Sequence, residues 1–166
     1  MRVKFIGVLL MIVIVTSLNS CSTNSTTTPN TSASSQSGVS YTYTSFEIET
    51  MNLINSHRVS IGLKALEQNN YISFKSEEHD NYMIANNVVN HDDFTNRSQN
   101  IMDVLGAKNV GENIAYNYNT PQSVLDAWLN SPMHKQYIEG DFTHFGISVR
   151  VNAEGKKYYT NIFVKI

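Results

Sequence analysis

The stretch DFTHFGISVRVNAEGKKYYTNIFVKI, residues 141–166, carries a change of period that decides the fold class. Phe145, Ile147, Val149 and Val151 recur at every second position, which gives an extended segment one apolar face. Asn152 to Gly155 has turn chemistry, and Tyr158 to Ile166 is a β-branched and aromatic run, so the spacing predicts a terminal β-hairpin. Upstream the period is helical. Thr120-Pro121 places an N-cap before a proline at the first helical position, and Val124, Leu125, Trp128 and Leu129 follow as a buried stripe. Ser131-Pro132 repeats the start signal. Ser98 to Leu105 predicts a short helix stopped by Gly106, and Ile72, Ser76, His79 and Met83 share one face of a helix beginning after Asn69-Asn70. Thr44-Ser45-Phe46-Glu47 reads as a capping box opening a first helix, whose stripe of Phe46, Leu53, Ile54 and Ile61 ends at Gly62. Helices ahead of a largely antiparallel sheet predict an α+β or sandwiched αβα arrangement.

Composition narrows the function classes. The chain has 166 residues, 41% hydrophobic, enough for one packed core. Its 12 basic and 14 acidic residues give a net charge of −2 without any basic block, which argues against a nucleic-acid surface. A single Cys excludes a disulfide framework and a multi-thiolate metal site.

The N-terminus reads as an address. Arg2 and Lys4 form a positive n-region, and Phe5 to Val15 is an apolar run too short to span a bilayer. Leu18-Asn19-Ser20-Cys21 resembles a bacterial lipobox, which assigns residues 1–20 to an export signal and makes Cys21 the lipidated N-terminus. Several acyl chains anchor stably where one does not, so the mature protein is expected to be tethered to a membrane. Loss of Arg2 and Lys4 leaves 10 basic against 14 acidic residues, a net of −4. Ser22 to Thr44 carries no acid or base, so residues 21–44 are expected to form a flexible tether spanning on the order of 25 to 30 Å. Ser22, which is not the Asp that retains lipoproteins in an inner membrane, points to the outer membrane or cell surface. The folded part is expected over residues 45–166.

Within that part a resemblance emerges. Leu53-Ile54-Asn55-Ser56-His57-Arg58 with Gly62-Leu63 and Leu66 resembles the opening helix of bacterial CAP domains, the group that includes SCP, antigen 5 and pathogenesis-related proteins. Glu78-His79-Asp80-Asn81 with Met83, Asn90-His91, Gly111-Glu112-Asn113-Ile114-Ala115, Ala127 to His134 and Phe142 to Val149 resemble further pieces in the family's order. The resemblance implies a three-layer αβα sandwich with a groove lined by two His and, in many members, two Glu. By position, His91 and His144 resemble the histidine pair and Glu112 the first acid. The second acid is missing, since Leu129, Asn130 and Ser131 stand where it would fall. His134 resembles the extra histidine of the short bacterial form, and Asn113 is expected to bond backbone around the groove and orient Glu112.

These residues support two functional readings. In the first, His91, Glu112, His134, His144 and Asn113 line the groove of a non-enzymatic module. That module would bind an extracellular partner, a lipid- or sterol-like apolar molecule, or a divalent metal. His91, His144 and Glu112 would then suit Zn²⁺ or a similar ion. In the second, a metal-dependent hydrolase, Glu112 is the general base on a water polarised by that metal. Against the metal stands a hydrogen-bonded His and Glu network that merely stiffens the groove. His79 on its apolar stripe reads as a core residue, His57 as partly exposed, and Asn55 and Arg58 as ties from the first helix to neighbouring backbone. Trp128 reads as a core anchor, and Ser123 and Ser131 as helix-start residues and not nucleophiles.

Overall fold

The computed structural model describes residues 38–166; the expected export signal, Cys21 and the expected tether up to residue 37 lie outside the described residues. The elements are α1 (Ser45–Ser60), β1 (Glu67–Gln68), α2 (Asn70–Asn86), α3 (Phe94–Leu105), β2 (Asn109–Tyr116), α4 (Pro121–Leu129), α5 (Pro132–Ile138), β3 (His144–Val151) and β4 (Lys157–Lys165). The strands lie in the order β1-β3-β4-β2. β3 and β4 form the expected hairpin and β2 pairs antiparallel with β4, while β1 adds a parallel edge to β3. Two residues of strand are too few to show a period, which is why β1 escapes the sequence pattern.

Alternate residues of each strand feed two cores. Phe145, Ile147 and Val149 of β3, with Tyr159 and Phe163 of β4, pack against Met51 and Ile54 of α1 and against Val124, Leu125 and Trp128 of α4. On the other side, Val110, Ile162 and Val164 meet Tyr71 and Ile72 of α2 and Ile101 and Leu105 of α3. The result is the expected α+β sandwich of three layers.

The local signals explain the helix ends. Both arms of the α1 capping box form: the Thr44 Oγ1 accepts from the Glu47 N–H at 3.2 Å, and the Glu47 carboxylate accepts from the Thr44 N–H at 2.7 Å. Thr120 makes the matching cap on α4, with proline in its first turn. α3 departs from expectation by starting at Phe94, four residues before Ser98. Asp93 is a residue type that often opens helices, but at φ 58° it offers no side-chain cap here.

The inward face of α1 also differs from the apolar stripe. Glu47, Thr50 and Arg58 are buried beside Met51 and Ile54, whereas Ile61 is exposed. Each buried charge has partners, as burial requires. Glu47 accepts from the Val149 N–H at 2.8 Å and from Arg150 Nη1 at 3.0 Å, and Arg58 donates to the carbonyls of Lys64, Ile138 and Gly140. The same hub corrects the tether's end. Tyr41 donates to Glu47 at 2.9 Å and accepts from Arg150 Nη2 at 2.9 Å, and the Tyr43 hydroxyl, which burial pushes up to about 12, bonds Ser73 at 2.8 Å. Tyr41 to Thr44 are therefore fastened to the domain.

α2 lies closer to the sheet than ordinary side chains allow. Ser73 Oγ accepts from the Ile147 N–H at 3.1 Å, and Ser76 Oγ donates to the Gly146 carbonyl at 3.2 Å. Further along, Thr160 donates to the buried Asp80 at 2.7 Å, and burial pushes the Asp80 carboxyl well above the usual carboxylate range. A Cβ on Gly146 would come within 2.3 Å of the Ser73 nitrogen and 2.7 Å of the Ile72 carbonyl carbon. Those are backbone atoms, so the helix itself would have to move. Gly146→Ala is expected to cost about 3 kcal/mol, read as a lowered urea midpoint; an unchanged midpoint would show that α2 can shift freely.

Candidate functional site

The site forms where β2, at one edge of the sheet, meets the loop between α2 and α3. α2 ends at Asn87, whose φ of 52° turns the chain back. The following loop is fixed by short polar contacts. The Asn90 Oδ1 accepts from the Asp92 N–H at 3.2 Å, Tyr82 donates to Asp92 at 2.9 Å, and the Phe94 N–H donates to the His91 carbonyl at 3.1 Å. This loop holds His91 above β2.

Glu112 sits opposite Ile162 in the sheet register, so it points to the α2–α3 side. Only 1% of its side chain is exposed. Arg97 of α3 grips it with two parallel bonds, Nε to Oε2 at 2.8 Å and Nη2 to Oε1 at 2.8 Å. His91 Nδ1 adds a third contact to Oε1 at 2.8 Å. A carboxylate accepts, so Nδ1 carries the proton and Nε2 is the ring's remaining polar atom. His91 is 47% exposed at its side chain, so that atom belongs to the open side of the site. Behind them, His79 Nε2 donates to the Asn90 carbonyl at 2.7 Å and lies 3.9 Å from Glu112. Burial lowers the proton affinity of His79 more than Glu112 raises it.

Asn113, one residue on, faces the opposite layer. Its Nδ2 donates to the His134 carbonyl at 3.0 Å, so it ties α5 to β2; it does not orient Glu112. Gly111 makes that docking close, because a Cβ there would fall 2.3 Å from the Tyr137 ring. His134 is half-buried, and its proton affinity is lowered by burial and then by the charge of His91. Next to His134 lies a hollow of about 390 Å³ lined by Ile114, Tyr116, Tyr118, Ala127, Trp128 and Ser131. On the other side, a polar cleft of about 240 Å³ opens between α2 and α3, with His79, Tyr82, Asp92 and Arg97 among its walls.

One expected member is elsewhere. His144 opens β3, and β4 runs between β3 and the strand that carries Glu112. Its Nδ1 bonds Thr143 Oγ1 at 2.9 Å, and its Nε2 lies 3.5 Å from Glu67 of β1, at the opposite edge of the sheet. The expected cluster of His91, Glu112 and His144 is therefore not assembled, and among the described residues no group of three or more His, Cys, Asp or Glu is placed to hold a metal. Sequence reasoning also missed Arg97. Its signal was positional: Arg97, Ile101 and Leu105 share one buried face of α3, and a cation in such a stripe needs a buried anion. The other readings fall into place. Asn55 exchanges two hydrogen bonds with Leu66 backbone, Trp128 is a core anchor that donates to the Ile114 carbonyl, and His57 pairs with Glu139 at 2.9 Å.

Comparison with known proteins agrees with this architecture. The CAP (cysteine-rich secretory protein) family model matches residues 51–164. Two Bacillus subtilis proteins are each 34% identical: the uncharacterized membrane protein YlbC over 74% of this chain and 35% of its own length, and the uncharacterized protein YkwD over 73% and 48%. The chain thus spans between a third and a half of those relatives. Among solved structures, an outer surface protein of Borrelia burgdorferi superposes with a TM-score of 0.63 at 21% identity, covering 69% of this chain and 88% of that one. An extracellular SCP-domain protein of Bacillus anthracis gives 0.62 at 25% identity, covering 76% and 45%.

The two lowered histidines set a pH dependence. Each takes up a proton in the unfolded chain near its ordinary value of about 6.5 but resists it when folded. Their contribution is therefore complete above that value and is lost as the pH falls through it toward the lowered folded values. A His79→Gln/His134→Gln variant should keep more of its pH 7 stability at pH 5 than the wild type, by urea titration at both pH values. Parallel losses in the two proteins would contradict the assignment.

Proposed function

The chain belongs to the cysteine-rich secretory protein (CAP) family, and from that premise we propose that it is a lipid-anchored, extracytoplasmic binding module without enzymatic activity. The observation that carries this reading is the state of Glu112. Both its oxygens are engaged by Arg97 and one also by His91, and only 1% of its side chain is exposed, so it serves as a strut, shut away from water and without freedom to swing toward it. A general base needs that freedom and hydrogen-bond reach to its proton. The hydrolase reading also needs a metal held partly by His144, which faces Glu67 instead.

The hollow beside His134, whose lining mixes aromatic and polar groups, is where we place the ligand. Concave sites lined by aromatic and aliphatic groups with a few polar ones favour apolar ligands. Tyr116, Tyr118, Trp128 and Ala127, with His134 and Ser131 at hand, suit a small lipid- or sterol-like molecule or an apolar side chain of an extracellular partner. Met133, 69% exposed beside His134, extends the same apolar character to the surface.

Location supports the reading from both ends of the argument. The export signal and Cys21 supply an anchor that does not require a membrane-spanning helix, and among the described residues no helix is long and apolar enough to be one. Relatives described as a membrane protein, an outer surface protein and an extracellular protein are consistent with display at the outer membrane or cell surface.

Two measurements test the proposal. Titration of the detergent-solubilised chain with a dansyl-labelled fatty acid should saturate at one molecule per chain. Ala127→Phe, which fills the hollow from its rim, should weaken the affinity at least about tenfold, or about 1.4 kcal/mol. Binding that ignores this change, or peptide hydrolysis that depends on Glu112, would contradict the reading. Separately, Cys21→Ser should move the exported chain from the membrane fraction to the soluble fraction; retention in the membrane would remove the lipid anchor from the account.

A further inference from the structure

The His91, His144 and Glu112 set read from the sequence would suit a divalent metal, and those residues as placed here do not fit one. A metal at Glu112 needs carboxylate lone pairs, a neutral imidazole nitrogen aimed at the same point, and a third donor. Most of these are already committed, and the one open imidazole nitrogen, His91 Nε2, faces away from Glu112. The carboxylate oxygens accept two bonds from Arg97, and Oε1 also accepts from His91. The His91 nitrogen nearest Glu112 carries a proton as the donor of that bond. His79 has its Nε2 on the Asn90 carbonyl, and His144 lies two strands away across the sheet, at Glu67.

Charge points the same way. The Arg97 side chain is 8% exposed and the Glu112 side chain 1%, so little water screens a guanidinium from any cation brought to that carboxylate. Arg97 is itself fixed, since its Nη1 donates to the Asp92 carbonyl at 3.1 Å and its guanidinium lies 5.8 Å from the Phe94 ring centre. Leaving would strip the loop that carries His91 of a contact.

We infer that Arg97 is the resident cation of this centre. The guanidinium occupies the carboxylate that a divalent ion would need, and the groove works without metal at Glu112. The arrangement also has a function for the groove: Arg97 clamps Glu112, and Glu112 accepts from His91 Nδ1 and so fixes the tautomer that presents Nε2 outward. A metal would make that presentation depend on ion supply; a guanidinium built into the fold does not. This inference stands independently of what the hollow binds.

The test uses the intact, detergent-solubilised chain after treatment with a chelator, titrated with Zn²⁺ by calorimetry and followed by thermal unfolding with and without the ion. Wild type and His91→Ala, a change at a half-exposed side chain, should bind Zn²⁺ with affinities equal within about twofold. The wild-type unfolding midpoint should not move on chelation. Arg97→Met should have a lowered midpoint that Zn²⁺ restores, with affinity at least tenfold above wild type, and Arg97→Met/Glu112→Gln should lose that gain. Wild-type binding that falls tenfold or more in His91→Ala would overturn the inference, as would an Arg97→Met protein that folds and gains no affinity. Should Arg97→Met fail to fold, the wild-type and His91→Ala comparison decides alone.

Discussion

A carboxylate shut away from water has to be neutralised from within the fold, and Glu112 is neutralised by a neighbour on a different element. Removing one partner of such a buried pair typically costs about 3–5 kcal/mol, because the other charge is left stranded. The pair is therefore a constraint on the whole α2–α3 side of the molecule. α3 must lie where Arg97 reaches β2, the loop before it must fold so that its Asp92 carbonyl meets Arg97 and its His91 meets Glu112, and His79 must stay neutral behind them. Affinity for a ligand contributes nothing to these demands. They are set by burial, and the open face of His91 is their by-product.

The opposite side of β2 obeys a different rule, that of close approach. Gly111 admits the Tyr137 ring, Asn113 fastens the first turn of α5, and Trp128 ties α4 to Ile114. The two sides thus give the edge strand unlike neighbours: a charged strut on one side, an aromatic hollow on the other. Adjacent residues of one strand serve them because side chains alternate across a sheet. The short Gly-Glu-Asn sequence is therefore three separate requirements in a row, a missing Cβ, a buried anion and an amide, and only the anion belongs to the His91 centre.

What the sequence discloses and what it hides follow from range. The hairpin, the caps at Thr44 and Thr120 and the α4 stripe ending in Trp128 are legible because the interactions that make them lie within a few residues. The ion pair between Arg97 and Glu112 spans 15 residues and two elements, and nothing local marks it except an arginine in an apolar stripe. His144 misleads for a related reason. Its neighbours Thr143, Phe145 and Gly146 fix a strand, but only the strand order tells which edge of the sheet it faces, and that order depends on pairing with the two-residue β1. The inward face of α1 was likewise hidden, because Glu47 and Arg58 are buried by distant partners, Arg150 on β3 and the carbonyls at the end of α5.

The most direct test of the central claim is anomalous diffraction at the zinc edge from crystals soaked in Zn²⁺. The account predicts density for the Arg97 guanidinium lying flat against both oxygens of Glu112, with no anomalous peak between Glu112 and His91. A peak there, with Arg97 swung off the carboxylate, would contradict it.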